Sequence, residues 1–95
     1  MKFEWDEGKN KTNIRKRGLD FADASKMFNG LMLVSADDRK DYGEQRFIGF
    51  GLLQSRLMAV VYTERTPDIV RIISFRKANR REQELFEKEI KNRLG

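Results

Sequence analysis

The sequence predicts an α+β domain with the element order β-α-α-β-β-β-β-α. The helical patterns lie towards the two ends of the chain, whereas the strand patterns follow one another after residue 31. Short turns join the last three strands, which predicts a small antiparallel meander with helices on one face. With 95 residues, of which 39% are hydrophobic, residues 1–95 are expected to form a single domain around one modest core.

The N-terminal elements are indicated by their capping residues. Residues Lys2–Trp5 are expected to form a short strand, with Phe3 and Trp5 on one face. Asp6 is a typical N-cap and Gly18 a typical residue after a helix end, so a helix is expected over Glu7–Arg17. Because this helix is almost wholly polar, we expect it to pack weakly. Asp20 begins a second, short helix with a core stripe of Phe21, Ala24, Met27 and Phe28.

Further strands are expected over 31–34, 46–53, 56–64 and 69–75. The strand at 56–64 is apolar on both faces, which predicts a central position in the sheet. Gly49 and Gly51 share one face of their strand, where glycine permits close approach. The polar segment 37–44 is interpreted as an exposed loop, since its aspartates lack the glycine position and terminal glutamate of a calcium loop.

The last helix is expected from residue 80 to about residue 93. Asn79 and Glu82 have the spacing of a capping box at its start. Its core-facing stripe is expected to comprise Leu85, Phe86, Ile90 and Leu94. Four cations surround its positive end, where each costs about 0.3–1 kcal/mol: Arg76, Lys77, Arg80 and Arg81. We favour a docked anion as the explanation; the alternative is neutralisation by Glu82, Glu84 and solvent.

The charge is uneven along the chain. The net charge is +5, with basic stretches at residues 1–18 and 71–95 flanking a slightly acidic middle. Such asymmetry is typical of proteins that bind a polyanion, most often a nucleic acid. In the first helix a basic, amide-bearing face suits a phosphate groove and comprises Lys9, Asn13, Lys16 and Arg17. A solvated helix face is the alternative for this pattern.

The residue types exclude several function classes. The chain has no cysteine and no histidine, so disulfides, thiolate chemistry and histidine acid–base catalysis are unavailable to it. No metal site or cofactor is expected. Neither a membrane-spanning run nor a signal-peptide pattern is present, so a cytoplasmic protein without a membrane association is expected.

One reaction suits this set of residues, namely phosphodiester transfer in RNA, because the 2′-hydroxyl of the substrate is its own nucleophile. The protein then needs only to orient the RNA and to stabilise charge on the phosphate, which arginines do by forked hydrogen bonds. The base is open between Glu64, Tyr62 and a lysine. A turn at 66–67 would place Arg71 opposite Tyr62 and Arg76 opposite Leu57, with Glu64 at the other end of the hairpin. For Glu64, pairing with a cross-strand arginine is the alternative.

The sequence also resembles a known family, the BrnT-type toxins. The resemblance rests on the motifs at residues 3–7, on Lys9 and Asn13, and on residues 16–21, 43–47, 61–65, 71–78 and 80–82. It implies a RelE-like fold and a ribonuclease that is the toxin of a type II toxin–antitoxin pair. The implied partner is a BrnA-type ribbon-helix-helix antitoxin, through which a dimeric complex would bind operator DNA.

On this resemblance, Arg71 and Arg76 would stabilise the scissile phosphate. The full expected catalytic set is Arg71, Arg76, Arg80 and Glu64, and the expected RNA-binding set is Lys9, Asn13, Lys16, Arg17, Arg46 and Lys77. The family commonly has His-Gly where this chain has Arg17-Gly18. Since arginine stays protonated, it cannot replace a proton-transferring histidine, and the activity is expected to be weakened. The alternative function is a non-catalytic basic module that docks an acidic protein partner or a nucleic acid.

Overall fold

The predicted α+β fold class is confirmed by a computed structural model, which describes residues 1–94. Its strands are β1 (Lys2–Trp5), β2 (Met32–Ala36), β3 (Phe47–Leu53), β4 (Arg56–Thr66) and β5 (Ile69–Lys77). Its α-helices are α1 (Glu7–Arg17), α2 (Phe21–Ala24) and α3 (Arg80–Leu94), and a 3₁₀ segment, Ser25–Asn29, continues α2. No helix in this described part of the chain is both long and apolar enough to cross a lipid bilayer.

The five strands form one sheet in the order β1-β5-β4-β3-β2, so the prediction of a central β4 is confirmed. The last strands form the expected antiparallel meander, and a tight turn at Gln54 and Ser55, both with positive φ, joins β3 to β4. The sheet is not wholly antiparallel, however. β1 pairs in parallel with β5, with Phe3 opposite Val70 and Trp5 opposite Ile72. No local pattern predicted this pairing, because the two strands are distant in sequence.

The predicted register of the β4–β5 hairpin is wrong by one or two residues. Arg71 lies opposite Thr63 rather than Tyr62, and Arg76 lies opposite Ala59 rather than Leu57. The turn causes this error, because it lies at Pro67 and Asp68 rather than at residues 66–67, which shifts the register by two. An irregularity between Glu64 and Thr66 reduces the shift to one residue at Arg71, and a second, between Val61 and Tyr62, restores it to two at Arg76.

The core lies between one face of the sheet and the α2 region. Its buried members are Leu19, Phe21, Ala24, Met27, Met58, Val60, Tyr62, Val70, Ile72 and Phe75. Gly49 and Gly51 permit close packing there, as predicted. A Cβ atom on Gly49 would lie 3.0 Å from the Met32 sulfur, and one on Gly51 would lie 3.0 Å from the Leu31 carbonyl oxygen. A larger residue at Gly51 would therefore collide with backbone that cannot easily move.

Helix α1 is held by polar contacts that the sequence did not indicate. Its predicted caps are confirmed, since Asp6 accepts a hydrogen bond from the Lys9 amide and Gly18 adopts a left-handed conformation. Within the helix, Asn10 is buried. Its side-chain oxygen accepts from the Phe21 amide at 2.8 Å, and its Nδ2 donates to Asp20 at 3.0 Å. The expected weak packing is therefore offset by a buried amide that joins α1 to α2.

Helix α3 has the predicted start but not the predicted packing. The capping box is confirmed, because Asn79 and Glu82 exchange side-chain-to-backbone hydrogen bonds of 2.8 Å. The core-facing stripe is wrong: no α3 residue is buried, and Leu85 and Leu94 are 58% and 84% exposed. Phe86 and Ile90 are half-buried, and residues between 82 and 89 line two concave surfaces together with the sheet, so the helix contacts the domain through part of its length.

The segment from 37 to 46 is irregular, as predicted, but it is not wholly exposed. Asp37 is buried, and its carboxylate accepts hydrogen bonds from the Arg39 side chain at 2.7 and 2.8 Å. The Asp37 amide donates to the Arg46 carbonyl at 2.8 Å, which extends the β2–β3 pairing into this segment. The calcium-loop interpretation fails for a physical reason as well, because this carboxylate already neutralises an arginine.

Candidate nucleic-acid interface

The first helix and the edge of β5 form an open basic groove. β1 pairs with β5 only as far as Ile72, and α1 then lies against the remaining edge of the strand. Asn13 fixes this arrangement, because its Nδ2 donates to the carbonyl oxygens of Leu19 and Phe75, each at 3.0 Å. The groove has a volume of about 490 Å³ and is lined by Gly8, Lys9, Thr12, Asn13, Lys16, Arg17, Phe21, Ile73 and Ser74.

The structure thus brings Lys9, Asn13, Lys16 and Arg17 together, on the helix face that the sequence indicated. The three cations are exposed, and within residues 1–94 no carboxylate lies within 4.0 Å of any of them. Lys16 and Arg17 occupy the last turn of α1, where a cation is favourable. Lys9 occupies the first turn, where a cation is unfavourable, so helix stability does not explain its position.

Arg71 and Arg76 lie on one face of the sheet, on either side of Ser74. Their partners Thr63 and Ala59 are four residues apart on β4, which places the two arginines about 13 Å apart along the strand. Ser74 also lines the α1 groove, so the groove opens between them. The expected phosphate-stabilising pair is therefore adjacent to the expected RNA-binding face.

Each of these arginines already has a carboxylate partner. Arg71 donates through Nη1 to Glu4 at 2.8 Å. Arg76 is held at both ends of its fork, with Nη1 and Nη2 at 2.8 and 2.9 Å from the two oxygens of Glu82. Hydrogen bonds from Arg76 lower the pKa of Glu82, and the same contact raises the pKa of Arg76. Arg71 consequently keeps more donors free than Arg76 does, because guanidinium carries five N–H groups.

The cations at the start of α3 are partly neutralised. Arg80 is exposed and lies 3.4 Å from Glu84, one turn further along the helix. Together with the Arg76–Glu82 pair, this contact matches the neutralisation alternative for two of the four cations, whereas Lys77 and Arg81 form no ion pair within residues 1–94. Lys77 is exposed and lines a different concave surface, of about 460 Å³, with Leu57, Ala78 and Gln83 among its neighbours.

Arg46 and Glu64 lie apart from the groove. Arg46 pairs with Glu44 at 3.0 Å and stacks on the Tyr42 ring at 4.1 Å. Glu64 is opposite Val70, near the turn of the β4–β5 hairpin, and lines a third concave surface with Gln45 and Phe47. The structure therefore does not bring Glu64 together with Arg76 and Arg80, and no cross-strand arginine pairs with it among the described residues.

Tyr62 is not available as a general base. Its ring is buried and contacts Phe28 edge-on, with ring centroids 5.0 Å apart. Burial raises the pKa of its phenol, and the charge of Glu64 adds to the effect. A phenol with a raised pKa remains protonated near neutral pH, so it does not accept a proton from a substrate hydroxyl.

Sequence reasoning missed a second cluster, formed by Asp37, Arg39 and Tyr42. Hydrogen bonds from the Arg39 side chain lower the pKa of Asp37 to about 2. The Tyr42 hydroxyl donates to the same carboxylate at 3.4 Å. Arg39 also acts electrostatically on Arg76 and Glu82, so this segment lies over the sheet face that carries them. The Asp-x-Arg spacing was its only local signal.

Comparison with known proteins identifies the family. The family described as "Ribonuclease toxin, BrnT, of type II toxin-antitoxin system" matches residues 5–82. The chain belongs to the BrnT family. Its fold is similar to the crystal structure of the Brucella abortus ribonuclease toxin BrnT, with a TM-score of 0.64 and 32% sequence identity over 84% of this chain and 99% of that one. No curated protein sequence matches the chain significantly.

BrnT-family membership places the chain among the ribonuclease toxins of type II toxin–antitoxin systems. Such a toxin has a protein antitoxin as its partner. The matched region includes α1, the strands β2 to β5 and the start of α3, so Arg71, Arg76 and the basic groove lie within it. Most of α3 lies beyond residue 82.

Proposed function

We propose that this chain is the toxin of a type II toxin–antitoxin pair and acts as a metal-independent endoribonuclease that cleaves RNA and thereby inhibits translation. The observation that carries the proposal is the α1 groove, in which exposed cations without carboxylate partners face Ser74 between Arg71 and Arg76. Unpaired cations around an open groove are typical of surfaces that bind a phosphate backbone.

In this proposal the RNA strand lies along the groove between α1 and β5. Lys9, Lys16 and Arg17 bind phosphates, and Asn13 holds the helix against the strand. The 2′-hydroxyl attacks the adjacent phosphorus, the 5′-oxygen leaves with a proton, and the products are a 2′,3′-cyclic phosphate and a 5′-hydroxyl. Arg71 stabilises the charge of the transition state, because it keeps N–H donors free beside its Glu4 contact and lies on the strand that borders the groove.

Arg76 and the outer cations have supporting roles in the proposal. Arg76 reaches phosphate only through the N–H donors that Glu82 and the Lys77 carbonyl oxygen leave free. Lys77 and Arg80 bind flanking phosphates near the start of α3, and Arg46 does so beyond the opposite end of the groove. Glu64 serves as a base only for RNA that also reaches the hairpin turn, since it lies in a separate concave surface.

A second candidate function, a non-catalytic binding module, is favoured by one specific observation. No carboxylate lines the α1 groove, and the chain has no histidine. Proton transfer therefore depends on a lysine or on solvent, because Arg17 stays protonated. The module would dock RNA or an acidic protein segment on the same cations without cleaving it.

The partner in this proposal is a BrnA-type ribbon-helix-helix antitoxin, in a dimeric complex. Operator DNA would be contacted through the antitoxin. In the free toxin, the basic groove binds RNA.

The deciding experiment measures cleavage of an end-labelled RNA by the purified chain with EDTA present. We expect slow cleavage by the native chain and faster cleavage by Arg17→His, which places an imidazole in the groove. Arg15→His is the matched control, since Arg15 lies in the same helical turn but does not line the groove; it should cleave at the native rate. RNA binding without cleavage by any of the three proteins would contradict the enzyme and establish the binding module.

A further inference from the structure

One edge of the sheet lacks the features that normally protect an exposed strand. β2 is the last strand in the order, and it pairs with β3 on one side only. It reads Met-Leu-Val-Ser-Ala, so it contains no charged residue and no proline. Its five residues pair with β3 in an unbroken register without a bulge. Edge strands in monomers usually carry a lysine, a proline or a bulge that prevents pairing with another chain.

The opposite edge is closed by comparison. β1 is only four residues long and carries Lys2 and Glu4. Beyond Trp5, α1 covers the edge of β5, and Asn13 binds the Phe75 carbonyl group that another strand would otherwise reach. The same fold therefore protects one edge by charge and by a helix, and leaves the other edge open.

Exposed apolar side chains gather at the open edge. Leu31 and Val34 are 64% and 46% exposed, and Leu52, on the neighbouring strand, is 59% exposed. Leu33 and Phe50, which lie opposite each other, form the floor of a shallow groove of about 280 Å³. On α3, its wall contains Leu85 and Phe86 beside Glu82 and Glu89, so apolar side chains of the edge strand and the helix line the same groove. Contiguous surfaces of this kind mark sites of protein association.

We propose that β2 pairs in antiparallel fashion with β2 of a second copy of this chain, about a twofold axis at Val34, to form a continuous ten-stranded sheet. The strand is complementary to itself. Val34 meets Val34 of the second copy, Leu33 meets Ser35, and Met32 meets Ala36, so each large side chain lies opposite a small or identical one. A twofold axis brings identical residues together, and the absence of charge on β2 removes the like-charge repulsion that would oppose this contact.

The net charge of the chain does not prevent this pairing. The basic α1 lies at the far edge of the sheet, about four strand spacings, or roughly 19 Å, from β2. This distance exceeds the Debye length of about 8 Å at physiological ionic strength, so the cations of the two copies are screened from each other. The dimer leaves both grooves uncovered, at its two outer ends.

The test is sedimentation equilibrium of the full chain over about two orders of magnitude in protein concentration. The native protein should be a dimer, and Val34→Lys, which places two ammonium groups at the twofold axis, should be a monomer. Ile14→Lys is the matched control, because Ile14 is 43% exposed but lies on α1 at the other edge; it should remain a dimer. Ser35→Lys, on the other face of β2, provides a second edge variant if Val34→Lys unfolds.

A native monomer at the highest concentration, or a dimer that survives both edge variants, would overturn the proposal. If the native chain is a monomer and Val34→Lys weakens its binding to the antitoxin, the edge belongs to the antitoxin instead. The outcome is independent of catalysis, because the readout is molecular mass. RNA cleavage by a monomeric edge variant would show that the two proposals stand separately.

Discussion

The cations of α1 and the arginines of the sheet and α3 look equivalent in the sequence but differ in the structure. Lys9, Lys16 and Arg17 have no carboxylate neighbour among residues 1–94, whereas the arginines at 46, 71, 76 and 80 each lie within 4.0 Å of one. Charge density alone therefore does not locate a polyanion site. What distinguishes the proposed binding surface is that its cations both lack an internal partner and line a groove.

The carboxylates near these two groups of cations make different contacts. Beside α1, Asp6 accepts the Lys9 amide as an N-cap, and Asp20 accepts the Ala22 amide and the Asn10 side chain. These acids are occupied by helix starts and by a buried amide. Glu4 and Glu84 do not cap a helix, and they pair with Arg71 and Arg80. Glu82 binds Arg76 and also completes the capping box of α3. The two acids beside α1 therefore bind backbone and amide groups, and neither forms an ion pair with a groove cation among residues 1–94.

The largest expected effect is the loss of RNA binding when the groove is neutralised. The triple variant Lys9→Ala, Lys16→Ala, Arg17→Ala should bind single-stranded RNA about 100-fold more weakly, because three phosphate contacts at about 1 kcal/mol each give two powers of ten. The slope of log affinity against log salt should fall by about 2, since single strands contribute about 0.7 per contact. Fluorescence anisotropy across a salt series measures both quantities.

The matched control for that variant removes the same charge elsewhere. Lys11, Arg15 and Lys88 do not line the groove, and Lys11→Ala, Arg15→Ala, Lys88→Ala changes the net charge by the same amount. Its affinity should stay near that of the native chain. Equal losses in the two triple variants would mean that RNA senses only the total charge, and the distinction between the two regions would fail.

The next largest effect is expected in the paired region, at Asp37. This buried carboxyl has a pKa of about 2 in the folded chain, because the Arg39 guanidinium donates to it, against an ordinary value of 3.8. Its contribution to stability is therefore complete above about pH 4 and is lost as the pH falls towards 2. Asp37→Asn should lower the free energy of unfolding by about 1–2 kcal/mol at pH 7, with allowance for the exposed Arg39.

Urea unfolding of the native chain and of Asp37→Asn at pH 7 and near pH 2 tests this prediction. The stability difference should shrink at the lower pH, where about half of the native Asp37 carboxyl groups are protonated. A difference that is the same at both pH values would show that packing rather than charge accounts for it.

The smallest effects are expected from the arginines next to α3. Arg76→Met should cost about 1 kcal/mol of stability, because it removes a largely shielded forked contact to Glu82. Arg80→Ala should cost no more than about 0.3–0.5 kcal/mol, as for other exposed pairs one helical turn apart. Thermal unfolding monitored by circular dichroism ranks the two. An Arg76→Met variant as stable as the native chain would remove the structural role assigned to that pair.

The parts of the fold that were predictable depend on contacts between near neighbours. The caps at Asp6 and Gly18 and the box at Asn79 and Glu82 are each complete within four residues, so the sequence pattern contains them. The central position of β4 was predictable because apolarity on both faces requires burial on both faces. Local hydrogen bonding and burial pattern therefore account for the correct element bounds.

The unpredicted parts join residues that are distant in the chain. The parallel β1–β5 pairing and the Glu4–Arg71 contact join residues 67 positions apart. The exposure of Leu85 and Leu94 was not predicted, because an apolar stripe on a helix does not show whether another part of the fold covers it. At the site, the sequence of α1 predicted the basic helix face. It did not predict that this face lies at the edge of β5, because that position depends on where β1 ends. In the hairpin, the turn lies one residue later than expected, which shifted Arg71 and Arg76 from their expected neighbours.

The side chain of Asn13 has a consequence for how such a toxin can lose its toxicity by mutation. On the proposed function, a cell selected for survival can replace the groove cations while the protein remains folded, because these cations form no ion pair within residues 1–94. Asn13 lies among them but binds two backbone carbonyl groups, so its loss should yield unfolded and degraded chains instead. Survivors of such a selection should therefore separate into two classes, abundant inactive protein and absent protein, according to which residue of one helix face has changed.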